Sequence, residues 1–174
     1  MMINFVRFNI YLAVAIGLVC ATGCASSKPD KEKEATSIQL HLEANQDGTE
    51  RNTPVPIYRA KPVYVNVEKA AFLDEGYIEA ARVVDQLGGF SIELKFNWQG
   101  IRILDGVTTD NSNRRIAIFT KFGKDPRWLG APIVRRRISD GVLSFTPDAT
   151  REEAERIVRG LNNLAVEMKK REKL

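Results

Sequence analysis

Residues 128–164 read WLGAPIVRRRISDGVLSFTPDATREEAERIVRGLNNL and contain two short strand-like runs followed by a helix-like run. The strand-like runs are residues 133–138 and 142–145. Between them lie Ser139, Asp140 and Gly141, a composition typical of tight turns, because glycine adopts positive φ without a steric penalty. These residues therefore predict a β-hairpin.

The helix-like run begins with a capping motif. Pro147 ends the second predicted strand, and Thr150 is followed three residues later by Glu153. At this spacing the Thr hydroxyl accepts a hydrogen bond from the Glu amide, and the Glu carboxylate accepts one from the Thr amide. The apolar residues that follow fall on one stripe of a helix: Ala154, Ile157, Val158, Leu161, Leu164, Ala165 and Met168. We expect a small sheet with this helix laid across it.

The same segment resembles the head subdomain of the first periplasmic domain of SecD and SecDF, membrane components that assist protein translocation through the Sec channel. The motifs that carry the resemblance are, in order, Gly100, Thr108-Thr109-Asp110-Asn111, Ile116-Ala117-Ile118, Ala131-Pro132-Ile133, Ile138-Ser139-Asp140-Gly141, Phe145-Thr146, Glu152-Glu153-Ala154 and Leu161. The resemblance covers residues 63–164. The resemblance also implies how the strands and helices are connected, which the spacing of apolar residues does not specify.

Two upstream segments alternate in the manner of half-buried strands. In residues 37–44 the apolar positions include Ile38 and Leu40, which places His41, the single histidine, on the solvent face. A catalytic base needs a positioned partner, and none is visible for His41. Residues 90–96 also alternate, and after Gly88-Gly89 such a strand favours an antiparallel partner. Residues 77–84 fit helical spacing as well, but the resemblance implies a strand at 81–86.

The middle of the chain predicts a helix and a central strand. Residues 98–109 show helical spacing, with Trp98, Ile101 and Leu104 turned inward. Residues 116–122 are apolar on both faces, which is typical of a strand in the centre of a sheet. Residues 123–130 are then expected to form a loop that contains Trp128.

Together these elements predict an α+β fold, an antiparallel sheet with two helices, 98–109 and 150–168, packed on one face. Hairpins whose strands alternate apolar and polar residues leave one sheet face to be covered by helices. At 174 residues and 44% hydrophobic content, a single domain over residues 37–174 is expected.

The N-terminus predicts export and lipid attachment. Residues 10–19 form an apolar run too short to span a membrane, and residues 1–23 therefore read as a lipoprotein signal peptide. The small residues before Cys24 suggest cleavage after Gly23 and acylation of the Cys24 thiol. Residues 24–36 are then a lipidated cysteine and a flexible tether. An uncleaved anchor, or secretion with an unpaired cysteine, is the alternative. The sequence leaves open whether the inner or the outer membrane is the destination.

Cysteine and charge counts limit the chemistry. The chain has two cysteines, so a mature domain whose Cys24 is acylated has no disulfide and no free thiol. Loss of residues 1–23 removes one basic residue and no acidic residue, so the net charge of the mature protein is 25 − 22 = +3. This mild charge argues against nucleic acid as a partner.

A binding patch is the candidate site, because no catalytic motif or metal-ligand spacing is present. The patch comprises Trp128, Arg135, Arg136 and Arg137. Clustered arginines suit anionic lipid headgroups, cell wall or an acidic partner, although such clusters also occur as solvated strand faces. No enzyme activity, cofactor or metal is expected.

The predicted function is that of a bacterial envelope lipoprotein, held to the membrane by its lipid, with its domain on the periplasmic side. The resemblance implies a non-enzymatic binding or accessory module that meets exported polypeptides or Sec components. The alternative is that the fold has been reused for an unrelated structural or anionic-ligand-binding role in the envelope.

Overall fold

A computed structural model describes residues 35–123 and 125–171. The predictions for the signal peptide, for Cys24 and for most of the tether lie outside the described residues. In chain order the elements are β1 (Thr36–Leu42), β2 (Asn52–Ile57), β3 (Val63–Glu68), β4 (Leu73–Asp74), β5 (Ile78–Gln86), β6 (Gly89–Phe96), α1 (Trp98–Asp110), β7 (Ile116–Phe122), β8 (Asp125–Gly130), β9 (Val142–Phe145) and α2 (Arg151–Arg171).

The strands form three antiparallel sheets. The first has the order β4-β1-β7-β8, the second is the hairpin β2-β3, and the third has the order β5-β6-β9. β1 and β7 pair along their full length. The alternation in β1 buries Ile38 and Leu40 in the main core, as predicted. The prediction that residues 116–122 form a central strand is confirmed, since β7 lies between β1 and β8.

The third sheet confirms the hairpin predicted around Gly88-Gly89. β5 and β6 pair from Ile78 with Phe96 to Gln86 with Gly89. Gly88 occupies the turn with a φ of 87°. The inward residues of β6, namely Ile92, Leu94 and Phe96, are fully buried. The helical interpretation of residues 77–84 is therefore wrong.

Helix α2 confirms the predicted capping box. The Thr150 amide donates to Glu153 Oε2 at 2.9 Å, and the Glu153 amide donates to Thr150 Oγ1 at 3.2 Å. The predicted stripe faces the core, with Ala154, Ile157, Leu161 and Ala165 buried. The helix packs mainly on β5 and β1.

Helix α1 lies on the same core through Leu104 and Thr108. Its N-cap is Asn97, whose side chain accepts from the Gly100 amide at 2.9 Å. Trp98 was expected to turn inward, and this prediction is wrong because the residue is 66% exposed. A β-carbon at Gly100 would lie 3.0 Å from Phe96 and Tyr77, so the Gly100 side of the helix faces the core. Trp98 precedes Gly100 by two residues, about 200° around the helix, and faces the other way.

A smaller core lies between the β2-β3 hairpin and the first sheet. It contains Val55, Ile57, Val65, Val67, Ala117 and Ala131, with Trp128 packed against it. The hairpin is fastened at its tip, where the Arg59 amide donates to Asp148 Oδ2 at 2.9 Å. Arg59 Nη2 also lies 3.6 Å from Glu153 Oε2. The hairpin thus covers the second face of the first sheet.

This hairpin explains why the solvent-facing assignment of His41 is wrong. His41 is 7% exposed. Its Nδ1 donates to the Glu68 carbonyl at 2.9 Å, and its ring meets the Trp128 ring edge-on at 5.2 Å. The alternating pattern of β1 shows one apolar face and does not reveal that a distant hairpin covers the other.

Two local predictions near the C-terminal half are also wrong. Residues 123–130 were expected to be a loop, but Asp125–Gly130 is strand β8, paired with β7. Residues 133–138 were expected to pair with 142–145, but β9 pairs with β6 instead. Residues 132–134 bond to the first residue of β7 and to the segment before it. The Ile116 amide donates to the Pro132 carbonyl, and the Val134 amide donates to the Arg114 carbonyl. The arginines at 135–137 therefore lie on a loop and not on a strand face.

The fold class is confirmed, since antiparallel sheets and two helices form one α+β arrangement. The division of the strands into three sheets is an addition to the predicted single sheet. In the part of the chain that the structure describes, no helix is both long and apolar enough to cross a membrane.

Candidate functional site

A groove of about 390 Å³ runs between β9 and the loop that precedes it. The loop contributes residues 132–140, β9 contributes Val142, Leu143 and Ser144, and Ile116 lies at the base. Three of the four residues in the predicted patch, Arg135, Arg136 and Arg137, line this groove. We name it the β9 groove.

One wall of the β9 groove is an unpaired strand edge. β9 has β6 on one side and no strand on the other among the described residues. The Phe96 amide donates to the Gly141 carbonyl at 3.0 Å, and Leu94 pairs with Leu143 in the same register. Because backbone groups alternate along an antiparallel strand, Gly141, Leu143 and Phe145 direct theirs toward β6. Val142 and Ser144 direct theirs into the groove.

The second wall is held by backbone hydrogen bonds on its far side. Pro132 O and Val134 N bond to Ile116 N and Arg114 O, at 3.0 and 2.8 Å. The residue between them, Ile133, forms an isolated antiparallel bridge with Arg115. In this pattern the N–H and C=O of Ile133 point away from Arg115. The segment is therefore fixed on one side, and Ile133, which is 36% exposed, lines the groove.

The three arginines differ in their partners. Arg137 makes two hydrogen bonds to Asp105, Nε to Oδ1 at 2.5 Å and Nη2 to Oδ2 at 2.7 Å. The hydrogen bond from Arg137 lowers the pKa of Asp105 below its usual value. Arg135 and Arg136 are exposed, and within residues 35–123 and 125–171 neither forms an ion pair. Among the described residues, the guanidinium groups of Arg135 and Arg136 thus have no carboxylate within ion-pair distance. Asp140 also lines the groove, and its Oδ1 accepts from the Val142 amide.

Trp128 lies elsewhere. It is partly buried on β8, with its ring centroid 5.2 Å from those of His41 and of Phe119. These rings line a different groove of about 230 Å³, together with Gln39, Thr53, Val67 and Lys69. The structure therefore brings the arginines together and places Trp128 in the packing under the β2-β3 hairpin.

The strand edge at Val142 and Ser144 is the feature that sequence reasoning missed. Residues 142–145 are predicted as a strand, but their predicted partner was the wrong one. No sequence signal specifies that β9 pairs with β6, because the two strands are about fifty residues apart. Within the described ranges, no group of three or more His, Cys, Asp and Glu side chains is arranged to hold a metal ion.

Comparison with protein-family models matches residues 49–166 to the family described as SecDF, P1 head subdomain. A curated relative, the protein translocase subunit SecD of Calditerrivibrio nitroreducens (strain DSM 19672 / NBRC 101217 / Yu37-1), is 30% identical over 92 residues. That alignment covers 52% of this chain and 17% of the relative. The chain therefore corresponds to a small part of that relative's length.

Two solved structures share the fold. One, described as a membrane component SecDF that enhances protein export, superimposes with a TM-score of 0.54 and 19% identity. The superposition covers 75% of this chain and 63% of the matched chain. The other, SecDF in a super-membrane-facing form, superimposes with a TM-score of 0.53 and 20% identity. This superposition covers 75% of this chain and 19% of the matched chain.

Proposed function

The chain belongs to the SecDF P1 head subdomain family, and on this premise we propose that it is a binding or accessory module for protein export. In this proposal the module is non-enzymatic and stands in the bacterial envelope, on the periplasmic side of a membrane. Its partners are exported polypeptides or components of the translocation machinery. The lipid on Cys24 holds it at the membrane.

The observation that carries the proposal is the β9 groove. It combines an unpaired strand edge, apolar side chains and two arginines without acidic partners on one accessible surface. Such a surface suits a polypeptide, since main-chain groups supply affinity and adjacent side chains supply preference. The SecD relative is named as a protein translocase subunit, which supports a link to export for this chain.

A second function is favoured by one specific observation, the lack of an ion-pair partner for Arg135 and Arg136 among the described residues. A groove with exposed guanidinium groups also suits an anionic ligand of the envelope, such as a lipid headgroup. In that case the fold serves a role unrelated to export.

Site-specific crosslinking in living cells tests the first function against the second. A photo-crosslinking amino acid at position 136 reports on the β9 groove, and one at exposed position Lys61 on the β2-β3 hairpin is the matched control. We expect adducts with exported polypeptides or Sec components from position 136 and at least fivefold fewer from position 61. Adducts with lipid or cell wall alone would overturn the export proposal in favour of the second function.

A further inference from the structure

Several other edge strands among the described residues carry features that hinder pairing with an added strand, and β2 is the first example. Lys69 N donates to Arg51 O at 2.9 Å, and Val55 pairs with Val65 in the same register. Because backbone groups alternate in direction along an antiparallel strand, those of Thr53, Val55 and Ile57 point toward β3. The backbone groups of Pro54 and Pro56 therefore lie on the outer edge. Proline has no N–H, so this edge cannot donate to an added strand at either position.

The outer edge of β5 is covered by a side chain from α2. The Ala81 amide donates to Asn162 Oδ1 at 2.8 Å, and Asn162 Nδ2 donates to the Ala81 carbonyl at 3.0 Å. Both outward backbone groups of Ala81 are thereby occupied. At Ala81 this edge of the third sheet is therefore closed by α2, whereas β9 has no such cover among the described residues.

Further edges are interrupted in other ways. On β8, Pro126 lacks an N–H, and the Leu129 carbonyl accepts from the Asp148 amide at 2.6 Å. On β3, the Asn66 carbonyl accepts from the Ala44 amide at 2.8 Å. On β9 the Val142 amide donates to Asp140 Oδ1 at 3.1 Å, while the Val142 carbonyl and both backbone groups of Ser144 face the groove with no strand partner in the described part.

We propose that the β9 groove binds an extended polypeptide segment by strand addition to β9, and that the preferred segment alternates apolar and acidic residues. This inference rests on the proposed function and deepens it, since it states how a partner polypeptide is held and which composition is favoured. The added strand donates to Val142 O and Ser144 O and accepts from Ser144 N.

The size of the groove agrees with a short strand. A strand residue fills a space of about 3.4 Å along the chain, 4.8 Å between strands and 10 Å between layers, on the order of 160 Å³. A groove of about 390 Å³ therefore holds roughly two to three residues. This length corresponds to the outward-facing part of β9 from Val142 to Ser144, within a strand of four residues.

The charges and apolar surfaces of the groove determine the preferred composition. Successive side chains of an added strand point to opposite faces. Ile116, Ile133, Ile138 and Leu143 line the groove and offer apolar contacts to one set of side chains. Arg135 and Arg136 offer unpaired positive charge to acidic residues in the other set. Arg137 is engaged by Asp105 and contributes less.

The test measures binding of fluorescent peptides to the full chain purified in detergent micelles. The probe is a seven-residue peptide that alternates valine and glutamate. Substitution of lysine for glutamate in the peptide should weaken binding at least tenfold. Two further peptides are methylated at alternate nitrogens, each in one of the two possible registers, so that each lacks the N–H groups of one edge. We expect one of the two to bind about tenfold more weakly than the parent peptide.

Protein variants test the same contacts from the other side. Ser144→Pro removes the outward N–H and no backbone bond to β6, and should weaken binding about tenfold. It also removes the hydrogen bond from Ser144 Oγ to Ser91 Oγ on β6 at 3.3 Å, which Ser144→Ala removes as well. Ser144→Ala keeps that N–H and is the matched control, with an effect within twofold. Arg135→Gln and Arg136→Gln should each weaken binding roughly threefold, as is typical of an exposed charge pair. Lys61→Gln, outside the groove, should have no effect.

Several results would overturn the inference. Equal binding of both N-methylated peptides and the parent peptide excludes strand addition, and this result does not depend on the folding of any variant. Equal binding of the lysine and glutamate peptides excludes the acidic preference. Binding of inorganic phosphate without binding of the peptide assigns the groove to small anions. Adducts with exported polypeptides in cells, together with any of these results, would leave the export function intact and remove only the mode of binding.

Discussion

The carboxylate of Glu153 joins three parts of the domain. It accepts from the Thr150 amide in the cap of α2 and from Arg127 Nη1 on β8 at 3.1 Å. Arg127 Nη2 lies 3.0 Å from Glu153 Oε2, within ion-pair distance. Arg59 from the β2-β3 hairpin approaches to 3.6 Å. The hydrogen bond from Arg127 is the main cause of a pKa of about 2 for Glu153. The same residue thus caps a helix and fastens the hairpin.

We predict that Glu153→Gln lowers stability at neutral pH and that this loss is smaller in acid. The folded pKa of about 2 lies below the usual 4.5, so the carboxylate stabilises the fold fully above about pH 4.5 and loses this effect as the pH falls toward 2. One pKa unit corresponds to about 1.4 kcal/mol. Since the side chain is 29% exposed, we expect a loss of about 2 kcal/mol at pH 7.

Urea unfolding followed by tryptophan fluorescence at pH 7 and pH 3 measures this difference. Glu152→Gln, on the same turn, is the control and should change stability by less than about 0.5 kcal/mol. A Glu153→Gln loss that stays constant between the two pH values would show that the ion pairs with Arg127 and Arg59 contribute nothing.

Single residues show where sequence reasoning reached its limit. The Thr150 and Glu153 cap is local, and its two hydrogen bonds were predicted from four consecutive residues. The burial of His41 depends on β3, because the partner is the Glu68 carbonyl. The exposure of Trp98 depends on which side of α1 meets Phe96 and Tyr77. The local sequence pattern therefore specifies the helix cap, but it specifies neither the burial of His41 nor the exposure of Trp98.

Contact between α2 and β1 depends on a glycine. A β-carbon at Gly160 would overlap the hydroxyl of Thr36 and would lie 3.0 Å from Thr36 Cβ and N. Thr36 is fully buried, so it has little room to move. Gly160 therefore permits the helix to approach the backbone of the strand.

We predict that Gly160→Ala destabilises the domain by about 1–3 kcal/mol, because it forces the helix and strand apart. Gly106→Ala is a matched control on α1, where a β-carbon meets no atom within 4 Å. There the higher helix propensity of alanine should raise stability by about 0.5–1 kcal/mol. Urea midpoints of the two variants should therefore move in opposite directions. Stabilisation by both would disprove the close contact.

The pairing of two strands could be predicted only where the strands are adjacent in the sequence. β5 and β6 are joined by a two-glycine turn, and their hairpin was predicted. β9 was recognised as a strand but was assigned to the wrong neighbour, because its partner β6 precedes it by a helix and two strands. Residues 123–130, which contain Pro126 and Trp128, were predicted as a loop, so the pairing of β8 with β7 was missed. The groove follows from these distant pairings, so only its arginines could be predicted.

At the level of the complete domain, membrane attachment is the prediction that most needs a test. We expect Cys24→Ser to move the protein from the membrane fraction to the soluble or unprocessed pool and to abolish labelling by a fatty-acid probe. Two or three acyl chains hold a protein firmly, whereas one chain binds only marginally. Cys20→Ser is the matched control and should keep both the label and the membrane fraction. Continued labelling of Cys24→Ser would exclude this cysteine as the acylation site.

The position of β1 has a consequence for the time course of folding. β1 lies between β4 and β7, and the Thr120 hydroxyl of β7 donates to the Ser37 carbonyl of β1, 83 positions earlier. A chain that is delivered from its N-terminus therefore presents β1 long before its main partner exists. Until β7 arrives, Ile38 and Leu40 remain in water, and closing so long a loop slows the pairing. Among the described strands, β1 emerges first but gains its main partner only when the second half of the chain has been delivered.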